Sequence, residues 1–128
     1  MSLRTPLSRV LNHGSAHEGA GHWIVQRVTA LALLPLSIWL LVELLALPDS
    51  DYVTVAAFIG AGWNAVFLGL FAVLACWHSW LGVQVVLEDY VHGFVSKTVT
   101  LLLSTAVHLL LAASAVYAVL HIALRGTP

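Results

Sequence analysis

Three long apolar runs, parted by short polar breaks, set the pattern of this 128-residue chain. The first extends from about Trp23 to Leu47, the second from about Val55 to Leu87, and the third from about Thr98 to Ala123. Each exceeds the roughly 18 residues that an apolar helix needs to cross a bilayer. The breaks are LPDSD, with Asp49 and Asp51, and EDYVHGFVSK, with Glu88, Asp89 and Lys97. This pattern predicts an all-α membrane protein of three transmembrane helices. Residues 1–21 form a polar N-terminal arm, partly irregular, and residues 22–128 form the three-helix membrane domain. The second run is longer than a bilayer requires, which predicts that its helix tilts or protrudes. Pro35, in the middle of the first run, removes a backbone donor and predicts a kink.

Composition agrees with the pattern and narrows the class. Hydrophobic residues make up 60% of the chain and charged ones 9%, against roughly a quarter charged in a globular domain. A net charge of −1 is too small to argue for a nucleic-acid partner. Cys76 is the one cysteine, so no intrachain disulfide forms, and its apolar setting reads as packing. The first run is long enough to span, so no cleavable signal is expected. Arg4, Arg9 and Arg27 precede or open the first run, Lys97 lies in the second break, and only Arg125 falls on the other side. The positive-inside rule therefore predicts a cytoplasmic N-terminus and EDYVHG loop, with the C-terminus outside, on the periplasmic face.

Candidate chemistry gathers in CWHSWLGVQVVLEDYVHG, Cys76 to Gly93. On a helix His78, Gly82, Val85 and Asp89 fall near one face. His78 lies roughly 17 Å from Asp89 along the axis, about half the hydrocarbon thickness. An ionisable group at that depth is a functional-site candidate. It suits haem b: an imidazole binds iron axially within the membrane, while a cation nearer the surface, here Arg27, meets the propionates. A histidine bonded to a neighbouring helix is the alternative, and the residues alone leave both open. Gly82, lacking a side chain, permits close approach to the helix. Tyr90 can donate its hydroxyl to a quinone carbonyl, with Asp89 orienting that hydroxyl or relaying a proton. From chemistry alone, an interfacial role explains both residues better.

Other polar residues change the picture less. His13, His17 and His22 lack a cysteine, and Glu18 is alone, so no closed metal site is expected. They read as solvated or interface-facing. Glu43 reads as interfacial. His108 lies about 15 Å into the third run, a depth like that of His78. A bis-histidine haem within one chain is therefore geometrically open. No glycine-rich turn between a strand and a helix suggests a nucleotide or flavin site.

The spacing H-x3-G-x-Q-x4-D-Y, carried by His78, Gly82, Gln84, Asp89 and Tyr90, resembles the second helix of a known family. That family is the hydrophobic membrane anchor of succinate dehydrogenase, bacterial type. GSAHEGAGHWIVQRVTALALLPL is similar to the start of its first helix. The resemblance implies a subunit of respiratory complex II in the bacterial inner membrane, with no succinate chemistry of its own. It implies pairing with a second three-helix anchor, of cytochrome b type, and attachment of the iron–sulfur and flavoprotein subunits. Haem b and ubiquinone are the implied cofactor and substrate, in electron transport linked to the tricarboxylic acid cycle. By the same resemblance His78 is the axial ligand, Tyr90 and Asp89 belong to the quinone site, and Arg27 lies near the propionates. His22 is close to, without clearly matching, a family histidine at the membrane surface. The second axial ligand would come from the partner, leaving His108 to helix packing. Two other readings compete: a self-contained b-type cytochrome using His78 and His108, and a packing protein without a cofactor.

Overall fold

The structure, a computed structural model, describes residues 15–125 of the chain. Four helices follow in order: α1 (Ser15–Ala46), α2 (Tyr52–Gly60), α3 (Asn64–Tyr90) and α4 (Phe94–Arg125). Three of them are long and apolar enough to cross a membrane, over Ala20–Ala46, Asn64–Tyr90 and Phe94–Arg125. The three expected spans are all present.

α1 begins at Ser15, earlier than the apolar run. Apolar content marks the part of a helix that sits in lipid, whereas helicity needs only the absence of breakers, and Ser15 to Gly21 has no proline. The helix continues through Pro35 and stops at Ala46, just ahead of Leu47–Pro48. A residue preceding proline is disfavoured in helical backbone, which accounts for the stop.

The second apolar run, read from sequence as one long helix from Val55 to Leu87, is instead two helices. α2 has 9 residues, about 13 Å, and is too short to cross hydrocarbon. Asp51 caps its start by accepting the Thr54 N–H at 2.8 Å. Hydrogen bonds from Thr54, its hydroxyl first and its backbone N–H second, hold the Asp51 carboxyl below its ordinary value. A carboxylate lowered in this way supports the fold above its unfolded pKa, and that support fades as pH falls through the lowered value. α2 ends where Ala61 turns extended, at φ −82° and ψ 118°, and Gly62 follows at φ 51°, a left-handed conformation that favours glycine. The freed carbonyl of Phe58 is satisfied twice, by the Ala61 N–H at 3.2 Å and by Asn64 Nδ2 at 2.8 Å. Asn64 thereby fastens the end of α2 to the first residue of α3.

α3 is the middle element. It packs against α1 on one flank and α4 on the other, and among the described residues α1 and α4 share no close backbone approach. α2 leans on α4 and α3. Trp39 of α1 joins the far ends, its ring 6.2 Å from Phe58 of α2 and 5.2 Å edge-on from Phe67 of α3. Three spanning helices in an open row have little interior: among the described residues Ala56, Phe58 and Leu81 are the buried hydrophobics, and Leu31 is 71% exposed. Such apolar exposure is stable only in lipid or against other hydrophobic helices.

Several polar side chains inside the spans are satisfied across helices. Trp80 Nε1–H donates to Thr105 Oγ1 at 3.1 Å, and Thr105 donates its own hydroxyl back to the Leu101 carbonyl at 2.9 Å. Deleting either partner strands a polar atom where no water replaces it. Trp80→Phe and Thr105→Val should each destabilise the chain in bicelles. Their double-mutant coupling is expected near 0.6 kcal/mol and no higher than about 1.7, the range for interhelical bonds in membranes. Strictly additive effects in the denaturation curves would show that the bond contributes nothing.

Candidate functional site: the polar seam between α1 and α3

The antiparallel contact of α1 with α3 carries a line of polar residues. On α1 these are His22, Gln26 and Thr29, at steps of four and three, hence on one face. His78 and Gly82 of α3 oppose them. Thr29 Oγ1 lies 2.9 Å from His78 Nδ1 and also donates to the Gln26 backbone carbonyl at 3.0 Å. Thr29 is 3% exposed, the one buried polar residue among those described. One turn nearer the α3 C-terminus, a Cβ at Gly82 would sit 3.5 Å from Gln26 Nε2. The close approach that Gly82 permits is therefore made by Gln26 of α1, and a flat ligand is not required to explain this glycine.

Nearer the mouth of the seam, two enclosed atoms lack a hydrogen-bond partner among the described residues: His22 Nε2 and Gln84 Oε1. The amide nitrogen of Gln84 is engaged, donating to Glu88 Oε1 at 2.9 Å. Lys97 Nζ closes the end of α3 by donating to the Glu88 carbonyl at 3.0 Å. A cation on last-turn carbonyls is favourable there. Glu88 thus carries the hydrogen bonds of this terminus. Asp89 and Tyr90 beside it are exposed, Tyr90 to 80%.

Arg27 is exposed on α1, its guanidinium 5.4 Å from the centre of the Trp23 ring. It lies two residues from Thr29, hence about 200° round the helix. The structure therefore does not draw Arg27 into the seam. His78 and His108 are likewise kept apart. His108 Nδ1 donates to the Ser104 carbonyl at 2.8 Å, and its Nε2 faces Ser79 Oγ of α3 at 3.3 Å. Both of its ring nitrogens thus make contacts within α4 or to α3. His78 meets α1 instead, on the other flank of α3. An apolar cleft of about 300 Å³ opens between α3 and α4, lined by Cys76, Trp77, Trp80, Thr105 and His108 among others. Trp80 packs on α4, and Trp77 stands half-exposed at the cleft.

Among the described residues no three His, Cys, Asp or Glu side chains converge as a metal site. His13, together with the side chains of His17 and Glu18, lies outside the described residues. Sequence reasoning missed Thr29 and Gln26. A threonine in an apolar helix has no motif, yet antiparallel counting from the membrane surface puts Thr29 near the level of His78.

A family profile described as succinate dehydrogenase/fumarate reductase transmembrane subunit matches residues 1–124. A succinate dehydrogenase hydrophobic membrane anchor subunit of Rickettsia bellii is 36% identical over 89 residues, covering 70% of this chain and 71% of the relative. A succinate dehydrogenase membrane anchor subunit of Reclinomonas americana is 30% identical, over 74% of this chain and 82% of its own. The hydrophobic membrane anchor subunit of Paracoccus denitrificans is 27% identical over 97% of this chain and 95% of its own length. No solved structure matches.

Proposed function

This chain belongs to the succinate dehydrogenase/fumarate reductase transmembrane subunit family, and we propose that it binds haem b with a second anchor and forms part of the ubiquinone-reduction site. As a multi-pass membrane anchor of succinate dehydrogenase it holds the complex to the bilayer. The partners proposed are that second, cytochrome b-type anchor and the iron–sulfur and flavoprotein subunits, in a bacterial inner membrane. Succinate oxidation itself is left to the soluble subunits.

The observation that carries the reading is the state of His78. Its Nδ1 is engaged by a buried threonine within a membrane-spanning helix, which orients the ring and leaves Nε2 for iron. Histidine ligands are characteristically fixed through their other nitrogen in this way. Haem b, when bound, supplies a one-electron carrier inside the hydrocarbon layer. Arg27 stacks on Trp23 and can turn its charge to a propionate. His22, with an enclosed Nε2 lacking a partner, would assist it. The rival single-chain cytochrome needs His108, whose two nitrogens are already bonded, so the second axial ligand is assigned to the partner anchor.

Tyr90 and Asp89 lie at the surface end of the same helix, exposed and unoccupied by the terminus contacts that Glu88 makes. The Tyr90 hydroxyl donates to a quinone carbonyl, and Asp89 orients that hydroxyl or delivers a proton to it. Positive-inside counting puts this end of α3 in the cytoplasm, facing the soluble subunits. A reporter active only in the cytoplasm, fused after Pro128, should then be silent. Activity there would reverse the orientation.

Two substitutions in the assembled complex test the site itself. His78→Leu should still insert, since leucine is more apolar, but native axial ligation should be lost. An unchanged low-spin bis-histidine spectrum would remove His78 from the site. Tyr90→Phe keeps the ring and deletes one hydroxyl, a loss on the order of 1 kcal/mol, more if a buried partner is stranded. Since about 1.4 kcal/mol is tenfold in rate, quinone reduction should fall several-fold to about a hundredfold. Electron delivery to an artificial dye upstream of the quinone should be unchanged. Equal losses in both assays would point to damaged assembly, and no loss in either would leave Tyr90 an interfacial aromatic.

A further inference from the structure

We infer that Thr29 is the positioning residue of the haem ligand: its hydroxyl fixes the tautomer of His78 and sets the electron-donating strength of that imidazole. This deepens, and rests on, the assignment of His78 as axial ligand. The argument is one of counting hydrogens. A threonine hydroxyl has one proton and two lone pairs. Thr29 directs that proton to the Gln26 backbone carbonyl, 3.0 Å away. Toward His78 Nδ1, at 2.9 Å, it has only lone pairs to offer. The proton in that contact therefore belongs to the imidazole, assigned from the bonding pattern in the usual way. A neutral imidazole protonated at Nδ1 has its lone pair at Nε2, the form an axial ligand must take.

The neighbouring flank of α3 shows the same device with no ambiguity of proton. Trp80 Nε1–H is a donor only, and it meets Thr105, whose hydroxyl proton is likewise directed to its own helix, at the Leu101 carbonyl. In both places a back-bonded threonine presents an acceptor to a ring N–H of α3. Burial sharpens the consequence at Thr29, which is 3% exposed. No water can take over as acceptor, and a replacement without a hydroxyl leaves the Nδ1–H unpaired.

An acceptor on Nδ1–H makes the imidazole a better electron donor, which favours ferric over ferrous iron. Thr29→Val, nearly isosteric, should keep haem in the assembled complex while raising the ferrous-to-ferric ratio at fixed ambient potential by about threefold to tenfold. Tenfold corresponds to about 59 mV for a one-electron couple. Thr29→Ser retains the hydroxyl and should titrate like the parent. The measurements are haem content, redox titration of the haem absorbance, and the low-spin spectrum, with His78→Leu run alongside. A Thr29→Val complex that titrates with the parent, while His78→Leu alters the spectrum, overturns the role of Thr29 and spares the ligand. A Thr29→Ser complex shifted as far as Thr29→Val also overturns it, because packing rather than the hydroxyl would then be responsible. An unaltered spectrum in His78→Leu removes the ligand assignment and this inference with it. Should the valine complex fail to assemble, Thr29→Ala, smaller and also without the hydroxyl, replaces it with the same expected shift.

Discussion

Inside a bilayer a polar side chain has no water to fall back on, and α3 carries several. The architecture follows from how they are satisfied. His78 and Trp80 are two residues apart and so leave α3 on nearly opposite sides. One is met by Thr29 of α1 and the other by Thr105 of α4. Each threonine returns its own proton to its own helix, so neither bond leaves a donor unpaired. With α3 bonded on both flanks, α1 and α4 are held apart and the spans form a row rather than a closed bundle. An interhelical bond in a membrane contributes on the order of 1 kcal/mol, too little to drive folding alone. Its effect is on register: a slip of α1 by one residue would take Thr29 away from His78 and leave the ring nitrogen unpaired in hydrocarbon.

The row has a second consequence. A closed three-helix bundle would bury its inner face, but here Thr29 and three apolar residues are all that the described chain buries. The remaining apolar surface is what an anchor presents to lipid and to neighbouring subunits. His78, on the middle helix of a row, stays partly exposed, as the proposed haem shared with a partner would require. In a closed bundle His78 would point at its own third helix and the single-chain cytochrome would be the natural reading. Here His108 is bound to Ser79 and Ser104 on the other flank.

Much of this was legible in the residues. Three runs of sufficient length marked three spans, and the spacing from His78 to Tyr90 carried the resemblance to the family that the chain belongs to. The break within the second run was not legible from hydropathy, because Gly60, Ala61 and Gly62 interrupt the helix without interrupting the apolar character. The available signal was the glycine pair followed by Asn64, a residue able to take up a freed carbonyl, as it does at Phe58. The early start of α1 was hidden for the converse reason: Ser15 to Gly21 is polar and helical at once. The partners of His78 were hidden because a contact between helices depends on register, which no single helix encodes. Arg27 shows the same limit. Its charge and depth were plain, but its direction, nearly opposite Thr29 on α1, emerges only when the face of α1 that meets α3 is known.

The seam also explains why Gly82 belongs with His78 as a pair. Gln26 occupies the space beside Gly82, and its backbone carbonyl takes the Thr29 proton. One residue of α1 thus does two things: its side chain fills the gap left by glycine, and its carbonyl commits Thr29 to acting as acceptor. A Cβ at position 82 would meet Gln26 Nε2 at 3.5 Å, an ordinary contact with the end of a flexible side chain, so a larger residue there would first displace the Gln26 amide. The Gln26–Gly82 contact and the Thr29–His78 contact thus lie one turn apart on the same two helices and are satisfied by the same register.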